Sequence, residues 1–331
     1  MIFGQIRTLR RLAWVANFAI WLNAFTIFAI MGVVANSGVL ETAALKANAS
    51  FRILPNEPIT TTAGLRPNLP FTVAVTGVMA AVYSFGGAIL FVEFISEMTR
   101  PFDFWKALIC AEAFIYALYL VFGLFVYAHQ GQYTFNPTYQ GLAPYAWHAA
   151  VNAIQLVTSC VATLLYANIG LKVAFNNIFI SLLGAPHLGT RGGKILWACV
   201  VPVYWSLAFV IATAIPQVSN LGGLIAAVCV LQFSFTFPPV MMVGYNVQKD
   251  AMLPGDGWDP TMGRVVRQDG GWVRLWRGYK KRVAVNLFNS VLFLASGTLA
   301  VLGIYSAIVQ IIGYYSLGAS SSFSCSSPYS Q

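Results

Sequence analysis

The sequence predicts an all-α membrane protein with about seven transmembrane helices, because of its composition, its long apolar runs and the placement of its basic residues. Of the 331 residues, 58% are hydrophobic and 9% are charged, whereas about 25% of the residues in a soluble domain are charged. So few charges cannot cover a water-exposed surface, and we expect the chain to fold in a bilayer.

Seven apolar runs are long enough to cross about 30 Å of hydrocarbon at about 1.5 Å per residue. In chain order they lie near residues 12–35, 71–95, 104–128, 146–170, 195–215, 218–243 and 288–312. We therefore predict one transmembrane domain over residues 1–313. The serine-rich residues 314–331 lack apolar periodicity, and they are predicted to form a disordered tail.

Charged residues mark the ends of these runs in order. The first run follows Arg11 and, at 24 residues, is too long for the apolar region of a signal peptide, which has about 7–15 residues. Glu97 and Asp103 separate the second run from the third, and Lys172 is expected to end the fourth. The fifth run is the shortest, and the polar segment from Lys249 separates the sixth from the seventh.

The basic residues predict a cytoplasmic amino terminus and a non-cytoplasmic carboxyl terminus, because cytoplasmic loops are enriched in Lys and Arg. With this orientation, all but three of the 19 basic residues face the cytoplasm; the exceptions are Lys46, Arg52 and Arg66. Their loop also contains Asn48 in the sequon Asn-Ala-Ser, a glycosylation candidate that is usable only on the non-cytoplasmic side. A chance occurrence of the tripeptide is the alternative.

The chain has a net charge of +9, and eight of its 19 basic residues lie in one loop, from Lys249 to Arg282. Trp258, Trp272 and Trp276 are interspersed among them. Tryptophan and basic residues together are typical of contact with an anionic membrane surface. We therefore predict membrane lipids as partners of this loop, and no nucleic acid.

Residue patterns for catalysis or metal binding do not occur in the sequence. His129, His148 and His187 are not at metal-ligand spacing, and there is no nucleophile elbow, phosphate-binding loop or zinc-protease motif. The chain is therefore predicted not to be an enzyme and to have no metal or other cofactor. Its function is expected to be passage or sensing.

The second run contains an unusual polar and glycine-rich stretch near its middle: Tyr83, Ser84, Phe85, Gly86 and Gly87. Paired glycines weaken a helix, and transporters use broken helices at the bilayer midplane to bind the charged ends of a substrate. These residues are therefore substrate-binding candidates. The alternative is that the glycines only allow close helix packing.

Carboxylates near the membrane interior are candidates for ion coupling. Glu93 lies one turn deeper than Glu97, and Glu112 lies about nine residues into the third run. A buried membrane carboxylate is costly and is often part of a proton path. The alternative for Glu112 is a structural carboxylate whose hydrogen bonds are satisfied by neighbouring polar groups.

Other residues in the last two runs predict structural features. Pro238 and Pro239 are expected to kink or end the sixth helix, because proline interrupts helical hydrogen bonding. Asn286, Asn289 and Gln310 are expected to bond neighbouring helices.

The stretch from Ser84 to Leu108, SFGGAILFVEFISEMTRPFDFWKAL, resembles the amino acid/auxin permease family, and its fungal branch in particular. The resemblance implies an eleven-span, inverted-repeat fold that moves neutral amino acids together with H⁺ or Na⁺. The seven runs would correspond to spans 5–11, without the first four. Residues Tyr83 to Gly87 would then lie in the broken sixth span and contact substrate.

Two classes of function follow from this resemblance. The first is ion-coupled, secondary active transport of neutral amino acids across the plasma or vacuolar membrane. The second is a non-transporting pseudo-transporter or membrane subunit that needs another chain to supply the missing spans. A seven-span receptor is a weaker alternative, because typical receptors have the opposite orientation of both termini.

Overall fold

The structure is a computed structural model, and it describes residues 9–47, 55–64, 69–215, 218–261 and 263–316. Within these ranges the α-helices are α1 Leu9–Asn36, α2 Glu41–Ala47, α3 Phe71–Ser84, α4 Phe91–Glu97, α5 Phe104–Gln130, α6 Tyr145–Ala174, α7 Arg191–Ala214, α8 Val218–Ile225, α9 Phe237–Asp250, α10 Gly271–Lys281 and α11 Val283–Ser316. A short antiparallel hairpin pairs β1 Gly257–Asp259 with β2 Arg264–Val266.

Six helical segments of the described residues are long and apolar enough to cross a membrane: Trp14–Asn36, Pro101–Tyr133, Tyr145–Leu182, Arg191–Ala214, Ser219–Asp250 and Val283–Gly313. The shorter helix α3 is also apolar. The prediction of an all-α, multi-pass membrane protein is confirmed. Asn48 and most of the predicted tail, from residue 317 onward, lie outside the described residues.

The chain divides into two compact units. The first unit contains residues 92–219 and the segment before residue 71, and the second contains residues 71–91 and 220–316. In the first unit α1 packs along α6 and α5. Ile30, Val33 and Val34 of α1 form a buried cluster with Leu142 and Val151.

The helix of the fourth run does not end at Lys172. It continues to Ala174 and then as a π-helix over Phe175–Leu182. A buried cluster explains the extension, because Leu171 and Phe175 pack on Trp197 and Val201 of α7. The apolar contacts of the last turns outweigh the local effect of one charged residue.

Two loops of the first unit are joined by hydrogen bonds. The amide oxygen of Gln132 accepts from the Thr60 amide at 2.8 Å, and the Tyr133 hydroxyl donates to the Glu57 carbonyl at 2.8 Å. Both loops must therefore lie on the same side of the membrane. The chain between them contains α5, which is long and apolar enough for one crossing, and two loops on one side require an even number of crossings, so a second one is expected within residues 71–97.

The second unit contains α3, α8 to α11 and the hairpin. Gln310 of α11 lies 2.5 Å from the Thr76 hydroxyl of α3, and the Asn286 side chain accepts from Asn246 of α9 at 3.1 Å. Both amides bond neighbouring helices as predicted. Asn289 does not, because its amide donates to the Val285 carbonyl of its own helix at 2.8 Å.

Candidate functional site

The helix of the second run is broken at the paired glycines. α3 ends at Ser84, and a 3-10 turn over Ala88–Leu90 precedes α4. In the gap the Gly86 amide donates to the Tyr83 carbonyl at 3.2 Å, and the Gly87 amide donates to the Phe85 carbonyl at 3.0 Å. These short turns replace the α-helical ladder, so the predicted interruption is present.

The two glycines have different surroundings. A Cβ atom on Gly86 would lie 2.6 Å from the Val230 Cγ1 atom and 3.1 Å from the Tyr83 carbonyl oxygen. A Cβ atom on Gly87 would meet only the Phe91 ring, at 3.6 Å, which is an ordinary contact. Gly86 therefore serves both the helix break and close packing, whereas Gly87 is not sterically confined.

The segment that packs on Gly86 is itself irregular. Residues Ala226–Val230 and Gln232–Thr236 are π-helical, between α8 and α9. Single π-helical turns occur often at functional sites. The break in α3 thus faces a second departure from regular α-helix within the same unit.

Pro238 and Pro239 explain where α-helical bonding fails. Proline has no N–H to donate to the carbonyl four residues earlier, and for Pro239 that carbonyl belongs to Phe235. The Ser296 hydroxyl of α11 lies 3.1 Å from the Phe235 carbonyl oxygen. The Ser296 hydroxyl also lies 3.0 Å from the Phe293 carbonyl of its own helix, and the Thr236 hydroxyl lies 3.1 Å from the Ser296 oxygen. Side-chain hydroxyls thus lie beside the carbonyl that the prolines leave without its α-helical donor.

Small residues allow α3, α11 and the π-helical segment Ala226–Val230 to pack closely beside the break. A Cβ atom on Gly303 of α11 would lie 2.6 Å from the Met79 sulfur and 2.9 Å from the Ala227 Cβ atom. Met79 and Ala227 are buried. Close approach of backbones through small residues is the usual way in which membrane helices associate, and here it fixes α3 shortly before the gap.

The side chains at the break suit a small amphipathic ligand. Tyr83 is 52% exposed, and Phe85 and Ser84 are also exposed. The Ser84 hydroxyl donates to the Ala80 carbonyl at 2.9 Å, which leaves its lone pairs as acceptors. Aromatic rings and hydroxyl and carbonyl acceptors could together hold an apolar side chain and an ammonium group.

The candidate carboxylates belong to the first unit. Glu112 is half-buried on α5, and Tyr119 follows it by two helical turns on the same face. Glu93 lies on α4, and its side chain falls outside the part of the chain that is described. The substrate-binding and ion-coupling roles remain predictions.

Sequence reasoning missed the π-helical turns and their contacts with α3 and α11. The sequence feature that could have indicated the π-helical turns is the pair Pro238 and Pro239, which Thr236 precedes. Among the described residues, no group of three or more His, Cys, Asp or Glu side chains could hold a metal ion.

Comparison with known proteins gives a consistent picture. The model of a family described as transmembrane amino acid transporter protein matches residues 1–250. A transmembrane transporter of Fusarium pseudograminearum (strain CS3096) is 29% identical over 247 residues, which cover 72% of this chain and 48% of that protein. A transmembrane transporter of Gibberella moniliformis (strain M3125 / FGSC 7600) is 28% identical with the same coverage. The chain thus spans about half the length of the curated relatives it matches, and no solved structure matches it.

Proposed function

The chain belongs to the transmembrane amino acid transporter family, and from this premise we propose that it takes part in secondary active transport of neutral amino acids. Substrate binds at the break in α3, where Tyr83, Ser84, Phe85, Gly86 and Gly87 form one wall of the site. Transport is coupled to H⁺ or Na⁺. The protein resides in the plasma or vacuolar membrane with its amino terminus in the cytoplasm.

The observation that carries this proposal is the interruption of α3 opposite a π-helical segment. The carboxyl end of a helix carries a partial negative charge, so the end of α3 at Ser84 suits the ammonium group of an amino acid. Broken membrane helices use such ends to bind charged groups of a substrate. Tyr83 and Phe85 supply apolar surface for the substrate side chain.

A preference for neutral substrates follows from the lack of charge around the break. Residues 71–92 and 219–248 contain no Asp, Glu, Lys or Arg. An ionised substrate side chain would lose its hydration there without gaining a counter-charge, which is costly in an apolar environment. Acidic and basic amino acids are therefore poor substrates.

Ion coupling is assigned to carboxylates of the first unit. Glu112 and Glu93 lie in segments that contribute to membrane crossings, where a carboxylate is costly unless it binds a cation or a proton. Neutralising Glu112 with glutamine should make uptake independent of the proton gradient. If uptake by the Glu112→Gln protein still depends on the proton gradient, Glu112 has a structural role and not a coupling role.

A second candidate function is that of a non-transporting membrane subunit that requires another chain, since the break in α3 supplies one wall of the proposed site. In an inverted-repeat transporter the site lies between the two repeats, so a partner chain would supply the opposite wall.

Uptake by proteoliposomes that contain only the purified chain tests the proposal. We expect accumulation of a radiolabelled neutral amino acid when an H⁺ or Na⁺ gradient is imposed, and no accumulation with Gly86→Leu. Folded protein that gives no uptake would contradict transport by this chain alone and would favour the partner-dependent alternative.

A further inference from the structure

Helix α10 in the second unit turns its charged face toward the protein. The Arg274 guanidinium lies 2.7 Å from the Asp256 carboxylate and 2.9 Å from that of Asp269. The Arg277 guanidinium lies 2.8 Å from Asp269 and donates to the Ala251 carbonyl at 2.7 Å. The side chain of Asp256 is almost fully buried by these contacts.

The same face of α10 is fixed against α9. A Cβ atom on Gly278 would collide with the Val247 carbonyl oxygen, so the two backbones touch. Gly278 follows Arg274 by one turn, and both are therefore on one side of the helix. The arginine side of α10 is thus its packed side.

The opposite side of α10 is apolar and exposed. Trp272 is 85% exposed and Val273 is 75% exposed, and Leu275 and Trp276 are exposed as well. A helix on the surface of a soluble protein has the reverse arrangement, with apolar residues toward the core and charges toward water. Bulk water is therefore an unsuitable neighbour for this face.

The position of α10 identifies a different neighbour. α11 begins at Val283, two residues after α10 ends. Val283, Val285 and Leu287 in its first turns are exposed and apolar, which suits contact with lipid from the start of that helix. The boundary between hydrocarbon and water therefore lies beside the end of α10.

The charges near the exposed face are basic. Lys280 and Lys281 are exposed at the carboxyl end of α10, and Arg267 is exposed shortly before the helix. The Lys280 ammonium lies 5.2 Å from the centroid of the Trp276 ring. A tryptophan face flanked by lysines complements a bilayer surface with negative headgroups, because indole rings prefer the headgroup level and lysines bind anionic lipid.

We propose that α10 is an interfacial anchor that inserts Trp272, Val273 and Trp276 among the headgroups of an anionic leaflet, with Lys280 and Lys281 bound to lipid carboxylates and phosphates. Asp256 and Asp269 orient the helix by holding its arginine face to the protein. Amphipathic helices of this composition lie in the interface plane. This role does not depend on the transport proposal.

The test uses the full chain in nanodiscs of phosphatidylcholine alone and of an equimolar mixture with phosphatidylserine. An environment-sensitive dye is attached at Val273→Cys after the five native cysteines are replaced by alanine, and lipids spin-labelled near the headgroup serve as quenchers. We expect blue-shifted and quenched emission, with stronger quenching in the phosphatidylserine mixture. The dye at Thr261→Cys, in the turn between β1 and β2, gives the water-exposed reference.

Three outcomes overturn the proposal. Emission at Val273→Cys equal to that of the reference in both nanodiscs would mean that the apolar face does not contact lipid and is left for a protein partner. Equal quenching in both nanodiscs would mean that the helix has no preference for an anionic lipid surface. The pair of substitutions Trp272→Ser and Trp276→Ser should lower the quenching, whereas Trp105→Ser on α5 should not, and the reverse result would also contradict the proposal.

Discussion

At the scale of single residues, the adjacent glycines at the break in α3 are not equivalent. Only Gly86 lies against Val230, and valine cannot easily move away because its branched side chain has few accessible rotamers. Gly87 has a backbone conformation, φ −105° and ψ −14°, that other residues also adopt. The steric difference between the two glycines cannot be read from the sequence, and it becomes visible in the structure.

We expect Gly86→Ala to reduce uptake strongly and Gly87→Ala to leave it nearly unchanged, since the added methyl group collides with Val230 only at position 86. Radiolabelled amino acid uptake at matched protein levels measures the difference. The double variant Gly86→Ala and Val230→Ala should recover much of the loss. Equal effects at both glycines would contradict the steric explanation.

Outside the membrane spans, the ionisation of Asp256 is set by its hydrogen bonds and its ion pair. Its carboxylate accepts from the amides of Leu253 at 3.0 Å and Gln268 at 2.8 Å, and it pairs with Arg274. These hydrogen bonds lower the pKa of Asp256 from 3.8 to about 2. The folded loop therefore favours the charged form.

Because the folded pKa lies below the ordinary value, the carboxylate stabilises the loop fully above pH 3.8, and this contribution is lost as the pH falls toward 2. We expect cleavage by pepsin within residues 251–282 to increase between pH 4 and pH 2. Asp256→Asn should already be cleaved readily at pH 4 and should follow only the pH response of pepsin. Identical profiles for both proteins would exclude this role of Asp256.

At the scale of elements, the sequence predicted the helices well where a run was continuously apolar and less well where the helical bonding changes. Pro238 and Pro239 predicted an irregularity, but they could not show that it takes the form of π-helical turns before them. The Ser296 hydroxyl beside the Phe235 carbonyl lies on another helix. A partner 61 residues away is not encoded in any local pattern.

Ser296→Ala should destabilise the protein by about 0.6 kcal/mol, the average for a hydrogen bond between membrane helices, because the Phe235 carbonyl loses its bond from α11. Thr298→Ala is the matched control, since the Thr298 hydroxyl bonds only the Leu294 carbonyl of its own helix at 2.9 Å. Equilibrium unfolding in mixed micelles measures both. A loss for Thr298→Ala as large as that for Ser296→Ala would contradict the proposed bridging role.

At the scale of the whole molecule, composition and the long apolar runs were enough to predict an all-α, multi-pass membrane protein. The bonds between Gln132 and Thr60 and between Tyr133 and Glu57 place two loops on one side, as the distribution of basic residues also requires. The candidate site was predicted only in part. Residues 83–87 stood out in the sequence, but their packing partner Val230 follows more than a hundred residues later and carries no signal of its own.

The predicted topology places Ala63 outside and Thr261 in the cytoplasm, and single cysteines at these positions test it. In intact cells that carry the protein in the plasma membrane, a membrane-impermeant maleimide should label Ala63→Cys but not Thr261→Cys. Both should be labelled after permeabilisation, because both positions are exposed. The opposite pattern in intact cells would mean that the orientation is the reverse of the predicted one. Labelling of both cysteines in intact cells would contradict an odd number of crossings between residues 63 and 261.

The claim that a neutral amino acid binds at the break in α3 is tested most directly by substrate protection of a cysteine at that break. Tyr83→Cys, in a chain whose five native cysteines are alanine, is treated with a maleimide in membranes with and without substrate, and Thr261→Cys serves as the control. We expect that a neutral amino acid slows labelling of Tyr83→Cys, that an acidic amino acid does not, and that Thr261→Cys is unaffected. A labelling rate at Tyr83→Cys that no amino acid changes would contradict the assignment of the substrate site.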